Sequence, residues 1–252
     1  MSKTSHFVSS KNFVPTINNV TFGNPDWSSS GWGTVPIKFQ GFDLLLKGPE
    51  LVTPFGFSKG MPGARNYGRD FNLQFNLDPV TVKTQAFSQG YKDLEEVILR
   101  YAYDNRIEWG LFGNQRDAEN ATMEDIKNKF YPIVKPPKPG SRYPPTMKVG
   151  FRTYYNKDSK KTEINIDCRD DDQKEIEPSE ETIPRFSKCI PVIRVKNICI
   201  SPDGKFWVKS QIEKLRVYKP EPYGDGAKVD APKTSGVMAS GQCLLDDSDD
   251  ED

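Results

Sequence analysis

Few residues of this 252-residue chain have the types and spacing that catalysis requires. The single histidine, His6, lies in a polar N-terminal stretch, so no Ser/His/Asp or Cys/His arrangement is indicated. Gly204-Lys205 lacks the glycine spacing and the following Ser/Thr of a phosphate-binding loop. The four cysteines form no C-x-x-C pair, so we expect free thiols, no metal and no cofactor; they are Cys168, Cys189, Cys199 and Cys243.

One acidic run, between Asp167 and Glu181, invites a metal-site interpretation. It contains Asp170, Asp171 and Asp172 but no EF-hand pattern with its glycine and terminal glutamate. We interpret the run as a solvated loop. An enzyme that acts on nucleic acid through these acids and a metal ion is a less favoured alternative. The sequence therefore indicates a binding protein and not an enzyme.

Basic residues concentrate in Arg185–Lys219, where nine Lys/Arg stand against two acids, a net charge of +7. The Val/Ile-rich run Ile190–Ile200, the turn Pro202-Asp203-Gly204 and the apolar residues after it predict a β-hairpin followed by a further strand. One face would be core, and the other would carry lysines, arginines and Trp207. A cationic surface with aromatic faces is what sequence-independent nucleic-acid binding requires.

A second basic stretch, Tyr131–Val149, is rich in proline, which excludes a helix and a central strand. It predicts an extended loop that either binds phosphates or crosses the end of a barrel. The alternative for the aromatic residues is that Trp207 and Tyr143 belong to the core. The candidate nucleic-acid-binding residues are Lys135, Lys138, Arg142, Tyr143, Lys148, Arg194, Lys196, Lys205, Trp207, Lys209, Lys214 and Arg216.

The formal net charge of zero hides a strong asymmetry along the chain. The last seven residues carry six acids, and without them the chain has 35 basic and 29 acidic residues. Residues 220–245 have linker composition. An acidic tail on a flexible linker can compete with a nucleic-acid backbone for a cationic groove, recruit basic partner proteins, or simply aid solubility. The candidate regulatory residues are Asp246, Asp247, Asp249, Asp250, Glu251 and Asp252.

Composition predicts a mainly-β protein of the α+β class. Twenty prolines, nineteen glycines and a mean hydropathy of −0.67 favour short strands, long polar loops and a disordered tail. We expect a polar N-terminal arm (1–34), one binding domain (35–219) and a flexible linker with the acidic tail (220–252). No apolar run is long enough to span a membrane, and the N-terminus does not resemble a signal peptide. We therefore expect a cytoplasmic or nuclear protein that is not secreted.

Periodicity locates the main elements. Apolar residues alternate strictly with polar ones over Phe71–Leu77, which predicts a half-buried strand. The i, i+3, i+4 spacing over 88–106 predicts one main helix with Ser88 as its N-cap. Val35–Lys47 is interpreted as a first strand with a bulge at Gly41. A short helix is predicted over Met123–Phe130, with Thr122 and Asp125 spaced as a capping box.

Four segments together resemble a protein family of nucleocytoplasmic large DNA viruses that is similar to single-stranded-DNA-binding proteins. They are LVTPFGF (51–57), YPIVKPP…YPPTMKV (131–149), GKFWVKSQIEKLRVY (204–218) and the final LLDDSDDED. The resemblance implies an OB-fold-like antiparallel barrel with helical insertions and an acidic tail, working in viral DNA replication. The expected arrangement of a basic β-barrel, a flexible linker and an acidic end is also similar to that of phage single-stranded-DNA-binding proteins. The terminal aromatic residue often found in the tails of those proteins is absent here.

The sequence thus predicts sequence-independent binding of single-stranded DNA in viral DNA replication or repair. The lysines and arginines would hold phosphates, Tyr143 and Trp207 would stack bases, and the tail would modulate access and contact replication proteins. The alternative is a virion structural or protein-interaction component that binds no nucleic acid. A buried, unreachable Trp207 would favour that alternative.

Overall fold

A computed structural model describes residues 5–60, 63–64, 67–78, 81–137, 139–141 and 143–220. The chain divides into two units, residues 1–220 and residues 221–252. The acidic tail and all but the first residue of the predicted linker belong to the second unit and lie outside the described residues. Lys138 and Arg142 of the Pro-rich loop also lie outside them.

Fourteen strands and three α-helices are described. The strands are β1 (Ser5–Ser9), β2 (Val20–Phe22), β3 (Asp26–Trp27), β4 (Gly33–Phe39), β5 (Asp43–Lys47), β6 (Leu51–Thr53), β7 (Asn72–Asn76), β8 (Phe130–Tyr131), β9 (Thr146–Phe151), β10 (Thr153–Asn156), β11 (Lys161–Ile164), β12 (Asp167–Arg169), β13 (Ser187–Ile200) and β14 (Phe206–Tyr218). The helices are α1 (Val82–Asp104), α2 (Gln115–Asn120) and α3 (Met123–Lys129).

The predicted basic hairpin, β13–β14, is the centre of the sheet. Its two strands pair antiparallel along their whole length, with register shifts near Val192 and Val195. On one side, β4, β5 and β6 pair with successive stretches of β13. On the other side, β8, β9 and β12 pair with successive stretches of β14, all in parallel orientation. The second half of the hairpin is one long strand, where the sequence predicted two.

The hairpin turn forms as the sequence predicts. The N–H of Ser201 donates to the Lys205 carbonyl (2.8 Å), and Gly204 has φ +78°, a conformation that other residues rarely adopt. A Cβ atom at Gly204 would lie 2.1 Å from the carbonyl oxygen of Leu111. Glycine is therefore required both for the turn and for its close packing against the chain at Leu111.

The sheet is open among the residues that the structure describes. Its strands follow the order β1-β5-β13-β14-β9-β7, and the end strands β1 and β7 do not pair. The hairpin β10–β11 forms a separate two-stranded sheet. The mainly-β, α+β class with one main helix is confirmed, but the sheet does not close into the expected barrel. None of the described helices is long and apolar enough to cross a membrane.

The main helix begins earlier than the sequence predicts. Thr81, and not Ser88, is the N-cap of α1, and its hydroxyl accepts from the N–H of Thr84 (3.1 Å). The buried face starts at Thr84 and Phe87, ahead of the stretch used for the prediction, and continues to Ala102. The predicted capping box of α3 is confirmed, since Thr122 and Asp125 bond reciprocally.

The described part of the N-terminal arm packs on the body. Phe13 is 2% exposed and its ring lies 5.7 Å from that of Tyr91 on α1. A Cβ atom at Gly90 would lie 2.5 Å from the Phe13 ring, so glycine allows this close approach. The predicted strand 35–47 is two strands, β4 and β5, because the chain makes a tight turn at Gln40 and Gly41, both with positive φ, and Phe39 and Phe42 exchange two backbone hydrogen bonds across it.

Candidate nucleic-acid interface

The register of the sheet defines a face that points away from the core. Ile198 and Ile200, which are fully buried, lie opposite Val208 and Phe206 on β14. Side chains alternate along a strand, so Trp207 and Lys209 point to the other side, which we call the outer face. Residues directly opposite on neighbouring strands share a face. Tyr131 on β8 lies opposite Trp207, and Gln74 on β7 lies opposite Lys148 on β9, so these side chains extend the outer face.

An aromatic groove of about 650 Å³ opens where β8 and β9 separate along β14. We define it by three aromatic residues, Trp32, Tyr131 and Trp207, and three lysines, Lys135, Lys148 and Lys205. Val149 and Val208 add apolar lining, and Ser210, Gln74 and Thr146 add polar lining. The groove therefore combines ring faces, apolar surface and cations in one place.

Trp207 contacts each of the other two rings of the aromatic groove edge to face. The Trp32 and Trp207 centroids are 5.9 Å apart with an interplanar angle of 81°, and those of Tyr131 and Trp207 are 6.3 Å apart at 77°. Trp32 is 47% exposed and Tyr131 is 53% exposed, while Trp207 is half-buried between them. Trp207 is therefore reachable, and its neighbours present ring faces to solvent.

The lysines make the aromatic groove cationic. Lys148 pairs with Asp70 at 3.2 Å, and Lys205 lies 3.6 Å from Asp203. Both ion pairs are exposed and therefore contribute little to the stability of the fold. The Lys205 ammonium lies 6.0 Å from the centroid of the Tyr131 ring. The neighbouring Tyr131, and then Asp203, raise the pKa of Lys205, so this side chain carries its charge throughout the physiological range.

Helix α1 fixes the wall of the aromatic groove that carries Tyr131 and Lys135. The carboxylate of Glu95 accepts from the backbone N–H groups of Ile133 (2.5 Å) and Val134 (2.9 Å). Burial raises the pKa of Glu95, against the lowering effect of these two hydrogen bonds. Lys135 then pairs with Thr146 through two backbone hydrogen bonds of 2.8 and 3.0 Å, which join this wall to β9.

The structure brings together only part of the predicted binding set. Lys135, Lys148, Lys205 and Trp207 line the aromatic groove. Lys209 shares the outer face with Trp207, and Lys196 lies at the β13 register shift; both are exposed, and neither forms an ion pair with any described residue. Tyr143 is 81% exposed on the Pro-rich loop, so it is not a core residue.

The other predicted cations lie further along the β13–β14 hairpin and are held by partners. Arg194 binds Glu213 (2.7 Å) and Asp43 (3.4 Å), and Glu213 also binds Arg152 (2.8 Å). Lys214 lies 3.6 Å from Asp167. Arg216 donates to the carbonyl oxygen of Asp171 (3.0 Å). These residues do not line the aromatic groove, and the predicted basic platform is thus two separate regions.

Sequence reasoning missed two of the three rings in the aromatic groove. Trp32 was assigned to the polar arm, and Tyr131 was counted only as the start of the Pro-rich stretch. Both lie far from Trp207 in the chain and reach it only through the packing of β4 and the pairing of β8 with β14. An aromatic residue in a polar segment was the only signal available for Trp32.

The cysteines and the acidic loop are the remaining chemically reactive groups that the sequence singled out. No cluster of three or more His, Cys, Asp or Glu side chains there could hold a metal ion. Cys168 and Cys189 are free thiols, and burial raises the pKa of each to about 12, which suppresses the reactive thiolate. Asp170 and Asp172 both contact Lys174 within the acidic loop.

Comparisons with known proteins give matches among solved structures alone. No protein-family model and no curated protein matches the chain. Among solved structures, the chain is similar to gp2.5, a single-stranded DNA binding protein encoded by bacteriophage T7, with a TM-score of 0.38 and 17% identity. The likeness covers 78% of this chain and 98% of the phage chain. At this TM-score the likeness carries no argument for function, and membership of a large-DNA-virus family remains a prediction.

Proposed function

We propose that this protein binds single-stranded DNA without reading its sequence. The observation that carries the proposal is the aromatic groove, in which Trp207 contacts both Trp32 and Tyr131 beside Lys135, Lys148 and Lys205. Each base that stacks on an aromatic ring contributes about 1–3 kcal/mol, whatever the base. The lysines supply the complementary contacts to the phosphates.

The aromatic groove favours a single strand over a duplex. In a duplex the bases stack on one another, so their faces are not available to protein rings. The exposed rings of Trp32 and Tyr131 can stack only on bases that are not stacked within a duplex. Lys209, also on the outer face, continues the cationic surface beyond Trp207 along β14.

The experiment compares two exposed tyrosines. Tyr131→Ala removes a ring of the aromatic groove, while Tyr155→Ala removes a ring that is 62% exposed on the separate β10–β11 sheet. Fluorescence anisotropy with labelled oligo-dT should show affinity falling about tenfold for Tyr131→Ala, which corresponds to about 1.4 kcal/mol. Tyr155→Ala should bind like the unaltered chain, and duplex DNA should bind more weakly than oligo-dT. Equal affinities for both variants would contradict the proposed site.

The proposal extends to a role in DNA replication or repair, in which the protein coats exposed single strands. The acidic tail would limit access to the aromatic groove, because six carboxylates on a linker reach a high effective concentration near the cations. Contacts of the tail with replication proteins form part of the same proposal. The support for these statements is the charge distribution of the sequence.

A further inference from the structure

A second cationic site, here called the basic cleft, lies at the far end of the hairpin. Its volume is about 230 Å³, and its charged residues are Lys47, Asp167, Arg169, Lys214 and Arg216. Four cations therefore face one carboxylate. No aromatic residue lines the basic cleft, and the basic cleft shares no lining residue with the aromatic groove.

The strand register places these cations side by side. Lys47 on β5 and Lys214 on β14 both lie opposite Val192 on β13, so the two lysines share a face. Arg169 on β12 lies opposite Arg216 on β14. Like charges in directly opposite positions destabilise a sheet. A bound anion would relieve this repulsion.

The carboxylate in the basic cleft compensates only part of the charge. Asp167 is shared, since it lies 2.8 Å from Arg169 and 3.6 Å from Lys214. Arg216 contacts the carbonyl oxygen of Asp171 and the ring of Tyr218, which are neutral partners. Lys47 is exposed and forms no ion pair within the described part of the chain.

The acidic loop beside the basic cleft leaves this charge uncompensated. Asp172 forms an ion pair with Lys174 (3.3 Å), and Asp170 accepts from the backbone N–H of that same lysine (2.9 Å). Their carboxylates are thus directed at Lys174, and neither residue lines the basic cleft.

Between Lys209, which continues the aromatic groove along β14, and the basic cleft, the arginines of the outer face are ion-paired. Glu213 holds Arg194 and Arg152 in one ion-pair cluster, and Arg194 also binds Asp43. From Trp207 to Lys214 is seven residues of β14, a distance of about 20 Å at the usual rise of a strand. Two cationic regions, the aromatic groove with Lys209 and the basic cleft, are therefore separated by a stretch in which Arg194 and Arg152 are already ion-paired.

We propose that the basic cleft is a second phosphate-binding site for the same single strand. The strand would stack its bases in the aromatic groove, pass the ion-paired stretch without charge contacts, and place backbone phosphates beside Lys47 and Lys214. This inference rests on the proposed function and adds a length requirement to it. A short strand fills the aromatic groove alone, and only a longer strand gains the second contact.

The test uses labelled oligo-dT of about 4 and about 16 nucleotides, the ends of the usual range of site sizes. Lys47→Gln/Lys214→Gln removes two charges of the basic cleft from exposed positions. Lys83→Gln/Arg100→Gln is the matched control, because it removes two exposed charges from α1, which lines neither the aromatic groove nor the basic cleft. Against this control, the cleft variant should bind the long strand several-fold more weakly and the short strand equally well.

Salt dependence gives the second readout. Each lost phosphate contact lowers the slope of log K against log salt by about 0.7 for single strands, so the cleft variant should lose about 1.4 with the long strand only. Equal binding of the long strand by cleft and control variants would overturn the second site. An equal loss for both lengths would also overturn it. If the unaltered chain binds neither strand, the proposed function itself fails.

Discussion

At the scale of single residues, the partners of each cation decide what it can do. Arg194 and Lys209 both lie on the outer face of the hairpin, and the sequence treats them alike. Arg194 is held by Glu213 and Asp43, at 2.7 and 3.4 Å, whereas Lys209 is exposed and has no ion pair with any residue the structure describes. Arg194 must lose its contacts with two little-exposed carboxylates before it can bind a phosphate, whereas Lys209 has no such contacts to lose.

We expect Lys209→Ala to affect DNA binding and Arg194→Ala to affect stability. Lys209→Ala should weaken binding of oligo-dT, lower the salt slope by about 0.7, and leave stability nearly unchanged. Arg194→Ala should cost about 1–3 kcal/mol in the free energy of unfolding, because it removes charged hydrogen bonds from Glu213, and should leave the salt slope unchanged. Urea denaturation and anisotropy titrations measure the two effects. A lower salt slope for Arg194→Ala would show that its ion pairs open for DNA.

At the scale of elements, helix α1 positions the aromatic groove without lining it. Glu95 is the contact that does this, since its carboxylate accepts two backbone N–H groups of the segment between Tyr131 and Lys135. The sequence predicts α1 as a core-packing helix and gives no sign of this role. A carboxylate of α1 that binds the backbone of a distant loop depends on tertiary packing, which periodicity does not encode.

Glu95→Ala should therefore weaken both folding and binding. The N–H groups of Ile133 and Val134 would lose their acceptor, at a cost of about 1–3 kcal/mol in the free energy of unfolding. Tyr131 and Lys135 would lose their fixed positions, so affinity for oligo-dT should also fall. Glu95→Gln keeps an oxygen acceptor and should restore most of both properties. Urea denaturation and anisotropy of the two variants test this, and normal binding by Glu95→Ala would contradict the positioning role.

The pH dependence of stability has a defined sign at Glu95. Burial raises its pKa in the folded protein above the unfolded value, so the folded state holds this proton more tightly. The stabilising contribution is complete below the unfolded pKa, about 4.3, and is lost as the pH rises through the raised pKa of the folded protein. The unaltered chain should show this decrease in unfolding free energy, and Glu95→Gln should lack it.

Also at the scale of elements, the sequence predicts those features that depend on residues close together in the chain. The alternation over Phe71–Leu77 predicted β7, where Leu73, Phe75 and Leu77 are nearly fully buried. The Pro-Asp-Gly turn and the capping box of α3 were also predicted. The predicted N-cap of α1, Ser88, was wrong, because the buried face of the helix begins before the stretch with the most regular apolar spacing.

The sheet order and the aromatic groove lay beyond prediction. They depend on which stretch of β14 pairs with each strand that is distant in the chain. Three short strands, β8, β9 and β12, pair along the same edge of β14. Trp207 and the lysines of the hairpin were predicted from composition alone. The groove lysines form only exposed ion pairs, whereas Arg194 is held by the little-exposed carboxylates of Asp43 and Glu213, and these contacts are long-range.

At the scale of the whole molecule, charge is divided between the body and the end of the chain. Six acids in the last seven residues offset a body with a net charge of +6. We propose that the tail competes with phosphates for the same cations, so removal of the residues from Asp246 onward should strengthen binding of single strands. The effect should be largest at low salt and should shrink as salt screens both interactions.

The most direct test of the central claim follows tryptophan fluorescence while oligo-dT is added to the full chain and to the chain ending before Asp246. Trp32 and Trp207 lie in the aromatic groove, so bound bases should quench their emission. Our account predicts quenching that weakens with added salt and occurs at lower oligo-dT concentrations without the tail. Absence of quenching in both forms, together with an unchanged electrophoretic mobility of the DNA at low salt, would contradict single-stranded DNA binding. That result would favour a structural or protein-interaction role.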